Sequence, residues 1–109
     1  MKSAAFILAL GLAALPWAAQ AKGNAEAGRA KAEACKACHG EGGAKPIQPD
    51  YPILAGQHAD YLVTALSQYK SGKRKNEVMK GFAAALKAED IRDLAAYFAS
   101  QPSPLKMKY

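Results

Sequence analysis

The chain has 109 residues and a formal net charge of +6, and half of its residues are hydrophobic. This length predicts one domain near the lower limit for a self-sufficient hydrophobic core. The basic balance suits acidic protein partners or anionic membrane surfaces, and we expect no nucleic-acid partner because the chain has a predicted export signal and no recognisable binding motif.

The first predicted element is a secretory signal peptide over residues 1–21. Lys2 gives a positive start, residues 4–15 are almost wholly apolar, and residues 19–21 read Ala-Gln-Ala, a small-x-small cleavage site. The alternative is an uncleaved anchor, for which the apolar run is short. We therefore expect cleavage after this site, export to the periplasm, no stable membrane insertion afterwards, and one mature domain over residues 22–109.

A helix is predicted from about Asn24 to Cys35. Asn24 is a suitable N-cap, Glu26 complements the helix dipole in the first turn, and alanines fill much of the segment. Gly28 lowers helix stability relative to alanine, which indicates either the close approach of another helix or a tolerated glycine without a role.

The end of this helix leads into Cys35-Lys36-Ala37-Cys38-His39, a C-x-x-C-H pattern. Each thiol can add across a haem vinyl group, and the adjacent histidine is then held beneath the iron as an axial ligand, so the pattern predicts c-type haem attachment. A thioredoxin-like redox pair needs a βαβ context that the sequence does not show. A zinc site would have only His58 as its fourth ligand. A disulfide is the remaining alternative in an exported protein, although the adjacent histidine favours thioethers.

Glycines and prolines make residues 40–52 a predicted loop. A second helix is predicted from about His58 to Tyr69, because apolar residues recur on one face at helical spacing. Gly72 stands at a natural stop for this helix.

Residues 73–78 are predicted as a polar loop, and residues 79–86 as a short helical turn. The last helix is predicted from about Ala88 to Ser100, with Ile91, Leu94, Ala95 and Phe98 on its apolar face. Residues 101–109 have the composition of a loose tail. No convincing strand pattern and no second C-x-x-C-H occur in the sequence, so we expect a single haem.

Three side chains are candidates for the sixth iron ligand. Met79 lies in a polar stretch, where a methionine that merely fills the core is less expected. Met107 follows two prolines in the tail, and His58 is expected to face solvent or cap its helix. The sequence therefore favours Met79, with an open site or bis-histidine ligation as alternatives.

The mature chain resembles the bacterial class I cytochromes c, most closely the small cytochromes c-553 and the half-domains of the di-haem cytochromes c4. The resemblance covers the whole mature chain and rests on these segments: Cys35-x-x-Cys38-His39-Gly40, Tyr51-Pro52-Ile53-Leu54-Ala55-Gly56-Gln57, Tyr61-Leu62, Tyr69-Lys70-x-Gly72-x-Arg74-x-Asn76-x-x-Met79 and Asp90-Ile91-x-x-Leu94-Ala95-Ala96-Tyr97-Phe98-Ala99-Ser100.

The resemblance implies an all-α class I cytochrome c fold wrapped around one covalently bound haem c. It implies that Met79 is the sulfur ligand and that the Pro52 carbonyl accepts a hydrogen bond from the ring N–H of His39. It also implies that Leu54 packs on the haem and that Arg74 lies near the haem propionates.

The resemblance also concerns the packing of the helices. It implies that Gly28 lies against the face of the last helix that carries Leu94 and Tyr97. Lys87 departs from the serine that is frequent before this helix, which we expect to lower local helix stability by about 1 kcal/mol.

These expectations describe a periplasmic mono-haem electron carrier rather than an enzyme, a monomer that exchanges electrons with other redox proteins. Two alternatives stay open: a haem-bearing subunit of a dehydrogenase or sulfur-oxidising enzyme, and a haem enzyme or gas sensor with an open iron. Basic residues cluster around Met79, where they form either a rim for docking acidic partners or an ordinary solvated loop: Lys70, Lys73, Arg74, Lys75 and Lys80.

Overall fold

The computed structural model describes residues 3–5, 11 and 22–107, so the predicted signal peptide lies almost wholly outside the described residues. The described part contains no strand, and the predicted all-α class is confirmed. Its helices are α1 (Ala25–Lys31), α2 (Glu33–His39), α3 (Ala59–Ser71), α4 (Glu77–Ala84) and α5 (Ala88–Ser100), with a 3₁₀ turn at Glu41–Gly43. No helix within this part is long and apolar enough to cross a bilayer.

The first predicted helix is two helices, α1 and α2, which meet at Ala32. Asn24 caps α1 as predicted, because its side-chain oxygen accepts a hydrogen bond from the Ala27 N–H at 3.0 Å. The predicted end at Cys35 is wrong, since α2 continues to His39 and ends where Gly40 adopts a φ of 82°. The Cys35–His39 motif therefore lies on a helix rather than beyond one.

The α1 and α5 helices cross at Gly28. A Cβ atom at Gly28 would lie 2.0 Å from the Asp93 carbonyl oxygen and 2.7 Å from the Tyr97 Cβ. Only a glycine permits this approach, so close helix packing is the reason for Gly28. The nearest atoms belong to the Asp93 backbone and to Tyr97. The predicted contact with Tyr97 is therefore present, and Asp93 rather than Leu94 is the other neighbour.

The α3 helix agrees with its prediction, whereas α4 begins earlier than expected. His58 is the N-cap of α3, and Gly72 ends it with a φ of 81°. Helix α4 begins at Glu77, inside the segment predicted as loop, because the Asn76 side chain accepts a hydrogen bond from the Met79 N–H at 3.0 Å. Met79 therefore lies in the first turn of α4.

Helix α5 is at the centre of the core, and its bounds match the prediction. Leu94 is 1% exposed and Phe98 is 4% exposed, and both pack with Ala32 and Leu62. Lys87 is the N-cap of α5, and its backbone N–H donates to an Asp90 carboxylate oxygen at 2.8 Å. This bond supplies one half of a capping box, while the lysine side chain has no acceptor to supply the other half.

Candidate haem site

His39 is the last residue of α2, and its ring is fixed by one hydrogen bond. Its Nδ1 lies 2.9 Å from the Pro52 carbonyl oxygen, and the residue is 7% exposed. A carbonyl only accepts, so Nδ1 is the donor and Nε2 of the neutral ring keeps its lone pair. The geometry therefore presents Nε2 as a metal ligand, with the other nitrogen held by the backbone.

A sharp turn at Gly40 and two backbone hydrogen bonds bring the Pro52 loop to His39. A Cβ atom at Gly40 would lie 2.2 Å from the Lys45 carbonyl oxygen, so the chain can reverse here only through a glycine. The loop returns to the motif where the Ile47 N–H donates to the Cys38 carbonyl at 3.0 Å. Further on, the Leu54 N–H donates to the Gly43 carbonyl at 2.8 Å. The sequence predicts a turn at the adjacent glycines 42 and 43 but does not indicate this anchor.

Both cysteines of the motif are half-buried, and no disulfide joins them. Burial, with a smaller contribution from Cys38, raises the pKa of the Cys35 thiol. This direction is opposite to the lowered thiol pKa that is typical of redox-active cysteines. Two thiols one helical turn apart, next to a ligating histidine, fit thioether attachment of a haem.

The candidate distal ligands lie in different environments. Met79 is half-buried. Its neighbours on α4, Val78 and Phe82, are 60% and 49% exposed. His58 is exposed at the N-terminus of α3, and Met107 is 77% exposed in the tail. Among these three candidates, only Met79 is sheltered within the fold.

The Arg74 guanidinium is held on the surface of α3 between two tyrosines. It lies 5.7 Å from the ring centre of Tyr61 and 5.5 Å from that of Tyr69, and it donates to the Tyr61 hydroxyl at 3.4 Å. A further bond at 3.3 Å runs from Nε to the Gln68 side chain. This setting is not among the predictions from the sequence, although the two tyrosines are eight residues apart, close to the same face of one helix.

The predicted basic cluster divides into two groups. Lys70 donates from its ammonium to the Leu86 carbonyl, and Arg74 is held by the tyrosines, so both have structural partners. Lys73, Lys75 and Lys80 are exposed, and none of them forms an ion pair with a carboxylate in residues 22–107.

The apolar side chains and the donor set both fit a haem. Leu94 is the only large side chain that is fully buried in the described part, so the core is small. Half-buried side chains surround it, which suits a large flat apolar group that completes the core: Cys35, Leu54, Val63, Leu66 and Leu86. The described residues contain no group of three or more His, Cys, Asp or Glu side chains that could hold a metal ion. One histidine and one methionine suit an iron already bound in a macrocycle.

Comparisons with known proteins agree with this fit. The profile of the Cytochrome c family matches residues 25–102. Cytochrome c4 of Pseudomonas aeruginosa is 46% identical over 101 residues, covering 93% of this chain and 48% of the relative. Cytochrome c-554(548) of Halomonas halodenitrificans is 44% identical over 82 residues, covering 72% of this chain and 98% of the relative.

A third relative is named for a specific reaction, and a solved structure shares the fold. The thiosulfate dehydrogenase electron acceptor of Thiomonas intermedia is 38% identical over 99 residues, covering 86% of this chain and 45% of the relative. The crystal structure of reduced cytochrome c4 from Pseudomonas stutzeri superposes with a TM-score of 0.71 at 38% identity, covering 76% of this chain and 48% of that chain. This chain thus spans about half the length of the cytochromes c4 that it matches.

Proposed function

Because this chain belongs to the cytochrome c family, we propose that it is a periplasmic one-electron carrier whose single haem iron is ligated by His39 and Met79. The chain binds haem c covalently, and Cys35 and Cys38 fit the two thioether links. Its electron-transfer role follows from its relatives. The two ligands, the compartment and the single haem belong to the proposal.

The hydrogen bond of 2.9 Å between His39 Nδ1 and the Pro52 carbonyl carries the ligand assignment. It orients the ring and raises the basicity of Nε2. Bound haem c supplies an iron that cycles between the ferrous and ferric states. A thioether sulfur from Met79 would favour the ferrous state and, together with His39, would leave the iron no open site for a substrate, which supports a carrier rather than an enzyme. Leu54 and Arg74 stay predictions as haem contacts.

The packing of Gly23 and Asn24 supports a mature domain over residues 22–109 and cleavage after residue 21. A Cβ atom at Gly23 would lie 1.8 Å from the Arg92 carbonyl oxygen. The Asn24 N–H donates to the Asp93 carboxylate at 2.8 Å. Residues 23 and 24, which directly follow the predicted cleavage site and Lys22, are therefore packed tightly against α5.

The proposed partners are redox proteins with acidic surfaces, met by a monomer of this chain. The exposed lysines 73, 75 and 80 support this, because they lie close in sequence to Met79 and are not neutralised by carboxylates in residues 22–107. Complementary charge accelerates such encounters.

A second candidate function is that of an electron-accepting component for a periplasmic sulfur-oxidising dehydrogenase. The relative from Thiomonas intermedia supports it, since that protein is named as an electron acceptor of thiosulfate dehydrogenase. Reduction of the purified protein by a thiosulfate dehydrogenase and thiosulfate would favour this candidate. Failure of that reduction, with retained reduction by dithionite, would count against it.

The visible spectrum of the ferric holoprotein tests the ligand assignment. We expect a weak red band from iron–methionine sulfur, which Met79→Ala abolishes. Met107→Ala is the control, because that side chain lies exposed in the tail, and it should leave the band unchanged. A wild-type holoprotein without the band would overturn the proposed ligation. The mass of the protein from a periplasmic extract, compared with residues 22–109 plus one haem, tests the export and cleavage.

A further inference from the structure

The Pro52 loop, which positions the ring of His39, has no regular secondary structure of its own. Pro52 lies in a stretch without helix or strand between the 3₁₀ turn and α3, and it is exposed. The orientation of its carbonyl must therefore come from contacts of the neighbouring residues in the loop. Two anchors are visible, one on each of two different segments of the chain.

The first anchor is the Gly43 carbonyl, four residues after His39. It accepts hydrogen bonds from the N–H groups of Leu54 at 2.8 Å and Ala55 at 3.2 Å. The second anchor is the Phe98 carbonyl near the end of α5, which accepts from the Gly56 N–H at 2.9 Å. The loop is thus hydrogen-bonded on one side to the 3₁₀ turn that follows the Cys35–His39 motif, and on the other side to α5.

The residues that follow α5 contact the surroundings of both anchors. The Gln101 N–H donates to the same Phe98 carbonyl at 3.2 Å. The Gln101 side chain is so close to Gly42 that a Cβ atom there would lie 3.0 Å from its Oε1. Ser103 packs on Gly56, since a Cβ atom at Gly56 would lie 2.6 Å from the Ser103 Cβ.

We propose that the post-helix segment Gln101–Ser103 is a positioning element for the axial ligand His39, acting through Gly56 and the Pro52 carbonyl. This inference rests on the proposed ligation by His39. The sequence predicts this segment as part of a loose tail. In the structure, Gln101 contacts Gly42 in the 3₁₀ turn and Ser103 contacts Gly56 in the Pro52 loop. Moving Ser103 relative to Gly56 should displace the Pro52 carbonyl and weaken its bond to His39 Nδ1.

A weaker bond has a defined electronic consequence. The hydrogen bond from Nδ1 raises the basicity of the ligating nitrogen, which stabilises the ferric state. Its weakening should therefore raise the reduction potential. We expect up to a tenfold change in the equilibrium constant for reduction, which corresponds to about 59 mV for one electron.

The decisive variant is Gly56→Ala in the mature holoprotein, with Gly72→Ala as the matched control. Both glycines have a left-handed φ, of 74° and 81°, so both alanines carry a similar backbone strain. Only the first alanine meets the tail, because the nearest atom to a Cβ at Gly72 is the Lys80 Nζ at 3.6 Å. The double variant Gly56→Ala/Ser103→Gly removes the opposing Cβ and should restore the wild-type potential.

Three measurements are made on each variant: the reduction potential, the melting temperature, and the amide hydrogen exchange of Leu54. The proposal expects a raised potential and faster Leu54 exchange in Gly56→Ala, neither change in Gly72→Ala, and rescue in the double variant. A lowered melting temperature with unchanged potential would overturn it, since that describes a purely structural contact. Equal shifts in both single variants, or no rescue, would also overturn it.

A second variant keeps the test decisive if Gly56→Ala does not mature with haem. Gln101→Ala removes the side-chain contact with Gly42 without backbone strain and should raise the potential by a smaller amount; an unchanged potential would contradict the proposal. Failure of the proposed function can be told apart from failure of this inference, because only the former would give a wild-type protein without the iron–methionine band. Failure of this inference leaves that band intact.

Discussion

The ammonium of Lys31, at the end of α1, lies 2.6 Å from a carboxylate oxygen of Asp93 on α5. Asp93 is 4% exposed, and its other oxygen accepts a hydrogen bond from the Asn24 N–H at 2.8 Å. Lys31 also pairs with Asp90 at 2.9 Å. One buried carboxylate on α5 therefore binds both ends of α1, the helix that precedes the haem motif.

The variant Asp93→Asn should lower the free energy of unfolding of the holoprotein by about 1–2 kcal/mol. The amide carries no charge and has only one oxygen, so the ion pair with Lys31 is lost and the Lys31 ammonium and the Asn24 N–H no longer both have an acceptor. Urea unfolding followed by circular dichroism measures the change. Asp50→Asn is the control, because Asp50 is exposed in the loop before Pro52, and it should change the stability little. Equal losses in both variants would contradict the role of Asp93.

The same carboxylate makes the stability depend on acidic pH. The hydrogen bond from the Asn24 N–H, followed by the bond from Lys31, lowers the pKa of Asp93, while burial and the charge of Asp90 oppose the shift. A lowered folded-state pKa contributes stability that is present above the unfolded value of about 3.9 and is lost as pH falls through the folded value. Below pH 4, the wild type should therefore lose stability more steeply than Asp93→Asn. Parallel curves of unfolding free energy against pH would contradict this.

The bounds of α3 and α5 could be predicted from the sequence because periodic apolar faces and terminal Gly72 or Pro102 define them. The end of α2 at His39 differs from the predicted end at Cys35, although no residue in 33–39 stops a helix and Gly40 is a common kind of helix stop. The start of α4 differs from the prediction because the polar residues 76 and 77 are the N-cap and the acidic first residue of a helix rather than part of a loop. Both differences concern helix ends, where one residue sets the boundary: the Gly40 turn after α2 and the Asn76 cap before α4.

In the candidate site, too, local sequence patterns indicate some residues and not others. Cys35, Cys38 and His39 could be proposed as the haem motif from their spacing alone. The roles of Gly56 and Ser103 could not, because their contact joins segments that are distant in sequence, and no periodic pattern encodes it. Arg74 was placed by resemblance alone, and the structure adds its position between Tyr61 and Tyr69.

A pair of glycine substitutions separates helix packing from helix propensity. In Gly28→Ala the new Cβ would lie 2.0 Å from the Asp93 carbonyl oxygen, so α1 must move away from α5. We expect a loss of about 1–3 kcal/mol, as in other overpacked cores. Gly81→Ala, on α4, meets nothing within 4 Å and should stabilise the protein by about 0.5–1 kcal/mol. Thermal unfolding of the two holoproteins measures both effects. A stabilised Gly28→Ala variant would show that the α1–α5 contact relaxes without cost.

The position of the exposed lysines, rather than the total charge, should control the encounter with anionic partners. We compare Lys73→Gln/Lys75→Gln with the control pair Lys22→Gln/Lys106→Gln, because both double variants lower the net charge equally and all four side chains are exposed. The rate at which the ferrous protein is oxidised by the trivalent anion hexacyanoferrate at low ionic strength should fall roughly threefold in the first variant and less in the second. The difference should vanish at high salt, where exposed charges are screened. Equal rates in the two variants at low salt would identify residues 73 and 75 as part of an ordinary solvated loop.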